Sequence, residues 1–196
     1  MSAVPSWVLL AALLAVVGMI VAISRHQGRR QRARERAVET AAVRLGDPRF
    51  APDAVRETAE ALFRDAWLAW DARDTNRLAE LMFSNPQDWF SQGMERHHRH
   101  RAVRSVNDVA YLSMVQGATE SDDRVVVLIR AKVSDWVQLD GEHESTATSM
   151  LIQWWTLARR DGRWAAWQVE TANAGMYHLT EPLPAGPAPT ARTNHT

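Results

Sequence analysis

Three hydrophobic periodicities follow one another along the chain. Trp7 through Ile23 is seventeen residues with no charged or hydrogen-bonding side chain except the indole. As a helix this run covers about 26 Å, close to a bilayer's hydrocarbon core once Pro5, Ser6 and Ser24 are added. From Gln31 to Leu45 the pattern weakens: Ala33, Ala37, Val38, Ala41 and Leu45 recur at helical spacing among arginines, and Gly46-Asp47-Pro48 stops it. Pro52 and Asp53 then open a strongly amphipathic helix. Val55, Ala59, Leu62, Phe63, Ala66, Trp67 and Trp70 share one face, and Arg56, Glu57, Glu60, Arg64 and Asp65 the other. Asp71 to Asn76 interrupts. Arg77 to Phe83 forms a short helix carrying Leu78, Leu81 and Met82, and Ser84-Asn85-Pro86 starts a third that runs to about His100.

From Ser105 the period drops to 2, the spacing of a strand. Val109, Tyr111, Ser113 and Val115 alternate with Asp108, Ala110, Leu112 and Met114. A polar connection over Gly117 to Asp123 leads to a second strand, Val125 to Val137, and Leu139-Asp140-Gly141-Glu142 turns into a third, Glu144 to Arg159. Asp161-Gly162 tolerates the positive φ of a type I′ turn, so the last two strands form a hairpin. Trp154, Trp155, Trp164 and Trp167 lie within fourteen positions of it. Adjacent Trp154 and Trp155 must point to opposite faces of the sheet. One enters a core; the other needs a helix, a second sheet, a ligand or a partner to cover it. Three helices followed by a four-stranded antiparallel meander predict an α+β domain, with the helices on a curved sheet.

The run Gln153-Trp154-Trp155-Thr156-Leu157-Ala158-Arg159, a tight turn, Trp164 and a short last strand resembles the end of the Tim-forty-four-like domain, a family within the nuclear-transport-factor-two-like superfamily. The order of elements agrees over roughly Phe50 to Leu179. The resemblance implies a cone-like fold, a binding cavity and association with membranes. The chain departs from the mitochondrial members: its anchor is an apolar run rather than amphipathic helices, and no long extension precedes the domain. An import-motor role is therefore not implied.

Charge adds a topology. Net charge is zero, yet the stretch from Arg25 to Arg49 is +5 and the rest −5. Arg25, Arg29, Arg30, Arg32, Arg34 and Arg36 follow the apolar run at once, and no Lys or Arg precedes it. The positive-inside rule puts the N-terminus outside and the domain in the cytoplasm. A cleavable signal peptide competes, because Ala22-Ile23-Ser24 resembles a small-x-small site, but the basic n-region is missing. The expected organisation is a single transmembrane anchor over 1–24, a basic juxtamembrane helix or linker over 25–49, the cone domain over 50–179, and a Pro-rich disordered tail over 180–196. Arg29, Arg30, Arg32, Arg34 and Arg36 are candidates for anionic-lipid contact, each contributing about 1 kcal/mol near such a surface. Lipid is a nearer anion than nucleic acid for arginines placed there.

Catalytic chemistry is sparse. There is no cysteine, glycine-rich phosphate loop, nucleophile elbow or zinc spacing. His97 and His100 stand three apart, but Arg96, Arg99 and Arg101 around them oppose a metal, so a solvated basic helix end is expected. Asp108 and Asp135 read as rim residues, and His143, between Glu142 and Glu144, as exposed. No cofactor or metal is expected. The sequence favours a membrane-anchored binding or scaffolding module for an unknown protein segment or a lipid, with Trp154, Trp155, Trp167, Trp67 and Trp70 as candidate binding residues. An isomerase- or hydratase-type enzyme on the same fold is the alternative.

Overall fold

The computed structural model describes residues 6–96, 99–139, 142–181 and 183. Its first element, α1, is one helix of 40 residues from Ser6 to Leu45, about 60 Å long. The segments expected as anchor and juxtamembrane helix are continuous in it, because nothing between Ile23 and Leu45 breaks a helix except Gly28, which one turn tolerates. Among the described residues no helix is long and apolar enough to cross a membrane. The expected anchor over 1–24 lies partly outside the described residues, since residues 1–5 and the side chains of 6–12, 20, 23 and 24 do not belong to them.

Helices α2 (Pro52–Asp71), α3 (Thr75–Leu81) and α4 (Ser84–Arg96) precede strands β1 (Arg99–Val115), β2 (Arg124–Leu139), β3 (Glu142–Arg160) and β4 (Arg163–Thr171). The strands form one antiparallel sheet in the order β1-β2-β3-β4. Register shifts at Val103/Ser105, Val106/Asp108 and Tyr111/Ser113 in β1, and at Ser134/Trp136 between β2 and β3, bend it. A 3-10 helix, Ala174–Leu179, closes the described domain. At the hairpin, Asp161 and Gly162 have φ of 51° and 74°, the left-handed values that a type I′ turn requires.

Helices α2 to α4 fill one face of the curved sheet. Phe63, Trp67, Trp70, Phe90 and Trp155 form its aromatic centre, with ring centroids 4.9 to 6.4 Å apart along the chain of contacts. The opposite face carries a smaller core of Ala110, Leu112, Val126, Leu128 and Trp154, covered by Met176, Leu179 and Leu183. Trp154 and Trp155 therefore do occupy opposite faces. The α4/β1 boundary is the main difference from the sequence pattern. The helix ends at Arg96 and the strand starts at Arg99, six residues before the alternation becomes visible at Ser105. Cross-strand pairing of His100 with Trp136 and of Arg101 with Asp135 extends β1 backwards.

Candidate functional site

The two hairpin tryptophans are both covered. Trp155 is fully buried against Phe63 and Phe90. Trp154 is 1% exposed, donates its Nε1–H to Ala172 O at 3.0 Å, and lies under the 3-10 helix. Gly175 passes so close that a Cβ there would fall 2.2 Å from the ring. Trp67 and Trp70 are also buried, and Trp70 donates to Phe90 O at 3.1 Å. Of the covers that the second ring of the hairpin pair needed, a helix supplies it: the C-terminal 3-10 helix closes over Trp154. Trp167, at the β3–β4 register shift, is half-buried with the Arg124 guanidinium 5.3 Å from its ring.

What the fold assembles instead is a polar rim at one end of the aromatic core. The end of α2 meets the start of β1 and the far part of β2. Asp71 accepts hydrogen bonds from His100 Nδ1 at 3.0 Å and from the Arg101 backbone N–H at 3.1 Å. His100 stacks on Trp136, its cross-strand neighbour, with centroids 5.5 Å apart and planes 9° apart. Arg101 donates to both oxygens of Asp135, at 2.5 and 2.8 Å, and its guanidinium lies 4.5 Å from the Trp67 ring centroid. Every partner is half-buried, which strengthens these charge-assisted bonds relative to water. Asp71 fixes the imidazole, leaving Nε2 as the nitrogen it does not engage. Such a pair can orient a general base or hold a polar ligand group.

The sequence pattern grouped His100 with His97 and His98 beside Arg101, took Asp135 by itself, and gave no sign of Asp71, because their meeting depends on β1 starting at Arg99. His97 and His98 lie outside the described residues. Asp108 bonds to Arg130 at the sheet edge. His143 belongs to β3, but its side chain is outside the description. Among the described residues no group of three or more His, Cys, Asp or Glu is placed to hold a metal.

The second feature is the surface of α1. Gln31, Arg34, Glu35, Val38 and Ala42 turn toward the domain at helical spacing, while Arg25, Arg29, Arg32 and Arg36 form an exposed stripe at i, i+4, i+7 and i+11. Arg30 is exposed beside the stripe. Arg34 points inward, its Nε–H donating to Leu112 O at 3.0 Å and Nη2 to Glu181 O at 3.4 Å. Arg56 of α2 bonds to Glu39 and, at 3.1 Å, to Glu35, and donates to Val109 O at 3.2 Å. Arg130 reaches Gln31 at 2.5 Å. Arginines thus cap carbonyls of the edge strand β1 and clamp α1 to it.

No protein-family model matches the chain, and no curated protein does. Similar solved structures include the intermembrane-space region of the chloroplast protein ARC6, 9% identical, covering 59% of this chain and 95% of that one with a TM-score of 0.45. A dehydratase candidate of the NTF2-like family from Streptomyces avermitilis is 13% identical, covering 61% and 96% with a TM-score of 0.43. An NTF2-like protein involved in plasmid conjugation is 11% identical, covering 56% and 47% with a TM-score of 0.37. At identities and TM-scores this low the likenesses carry no activity to this chain. No family match supports the Tim-forty-four-like resemblance, which rests on the hairpin residues and the order of elements.

Proposed function

We propose that the chain is a membrane-anchored binding module in which α1 is both anchor and mount. The observation that carries this reading is the division of α1 into two unlike halves within one helix. Its second half is clamped to the domain through Arg34, Glu35, Glu39 and Ala42. In its first half Leu13, Leu14, Val16, Val17, Met19 and Val21 are all exposed, between 42% and 63%. Six large apolar side chains on a helix half that no other described element covers need an apolar environment, and lipid supplies it on all sides. The stripe Arg25, Arg29, Arg32 and Arg36 begins where the apolar run ends, which suits the anionic headgroups of a cytoplasmic leaflet. Because the helix continues unbroken into its clamp, the domain is held at a set height above the bilayer.

Extraction tests this reading. The full chain should stay with membranes through alkaline carbonate washing, and a chain beginning at Arg25, which keeps the clamp, should be released. Release of the full chain would refute the anchor. The Asp71–His100 pair at 3.0 Å favours a second reading, a small-molecule enzyme working at the polar rim. That reading requires a turnover that Asp71→Asn abolishes while binding survives; a substrate processed equally by the variant would remove it.

A further inference from the structure

Strand β3 is longer than the strand that covers its outer side. It pairs with β2 from Leu139↔Glu142 to Arg124↔Ala158, but β4 reaches back only as far as Gln153↔Thr171. Along Glu142–Ile152 no second strand among the described residues lies against it. Alternate backbone N–H and C=O groups there face outward without a ladder partner, and a row of this kind is a template for another strand. Natural edges are usually guarded by Lys, Pro or inward-pointing charge. Glu142 and Glu144 guard the start of the free stretch, but from Ser145 to Ile152 it has no charged residue and no proline.

Two features delimit the free ladder. At one end Thr146 and Ala147 oppose the single residue Asp135, a bulge that bends β3. At the other, β4 takes over at Gln153. The regular free edge is therefore 148–152, centred on Met150. That side chain is 52% exposed although it lies on an apolar face, where Ile152 and Trp154 pack into the smaller core.

We infer that this edge pairs with the same edge of a second copy of the chain, antiparallel, about a two-fold axis at Met150. A two-fold axis perpendicular to a sheet matches one residue with itself, and the middle of the free ladder is Met150. Thr148 then stands opposite Ile152 of the partner subunit, and Ser149 opposite Leu151 of the partner subunit. No charge meets another, and the two Met150 side chains cover each other. The chain itself supplies a strand of matching length, uncharged, with an apolar residue where one is needed. This goes beyond the membrane mounting and does not depend on it.

The full chain in detergent micelles gives the test, since it contains no cysteine. Directly opposed residues in an antiparallel pair have Cα atoms about 4.5–5.5 Å apart, within disulfide reach. Met150→Cys should therefore oxidise to a covalent dimer. Two copies of Thr148→Cys would sit about 13 Å apart along the strand and should stay unlinked. By sedimentation the wild-type chain should be dimeric, and Met150→Lys, which sets two ammonium groups on the axis, monomeric with native circular dichroism. If Met150→Lys fails to fold, the cysteine pair decides, since it changes single exposed side chains. Equal linking at Thr148 and Met150, a monomeric wild-type chain, a dimeric Met150→Lys, or linking of Met150→Cys to a different protein would each overturn the inference.

Discussion

Tyr111 buries its hydroxyl inside the larger core with no hydrogen-bond partner among the described residues. Burial pushes its pKa well above the usual phenol value of 10.0, because an anion there would lose its hydration. The folded value exceeds the unfolded one, so the associated stability is intact below about pH 10 and is lost as pH rises beyond it. Tyr111→Phe should thus be at least as stable at neutral pH, by up to about 1 kcal/mol, since it removes an unpaired buried polar atom. It should also lose less stability than wild type in denaturant melts near pH 11. A clear loss at neutral pH would mean that the hydroxyl has a partner. Trp154 and Trp155 belong to the same scale. The alternation in sequence was enough to place them on opposite faces, but not to show that both faces are covered. With both buried, Trp154→Ala and Trp155→Ala should each destabilise by about 3–5 kcal/mol. A variant at either position with an unchanged melting temperature would reopen that ring as a binding surface.

At the scale of elements, α1 is where sequence and structure part most. Its domain-facing positions Gln31, Arg34, Glu35, Val38 and Ala42 include only two apolar residues, so the contact face carries almost no hydrophobic signal. The clamp is polar instead. Partial burial alone would lower the pKa of Arg56, but bonding to Glu39 and Glu35 outweighs it and holds the value above normal. Hydrogen bonds of charged groups in such settings contribute about 1.5–3 kcal/mol. Arg56→Ala should therefore loosen the mount locally. Amide exchange should accelerate over Gln31–Ala42 and at the β1 edge, while β2 and β3 keep their protection. Uniform acceleration would show that Arg56 supports the whole core, and no change that the clamp lies elsewhere. The rim pair Asp71–His100 was hidden for a related reason. β1 opens with Arg99, His100 and Arg101, which are placed by β2 and by Asp71 at the end of α2 and not by any pattern of their own.

For the whole molecule, the helix-then-meander order, the hairpin turn and the Trp-rich core were legible, because each follows from period and turn chemistry within a short window. Contacts between distant segments were not: the cover over Trp154 and the cap of Arg34 on Leu112 join residues far apart in sequence. In the proposed mounting, this single helix passes from lipid to protein along its length. Its cysteine-free sequence allows a direct measurement, with an environment-sensitive fluorophore attached at Val16→Cys or Ala37→Cys in the full chain reconstituted in vesicles that contain lipid-borne quenchers. The label at position 16 should emit in the blue and be quenched from within the bilayer, and the label at 37 should emit as in water and escape the quencher. Equal, water-like emission at both positions would contradict the claim.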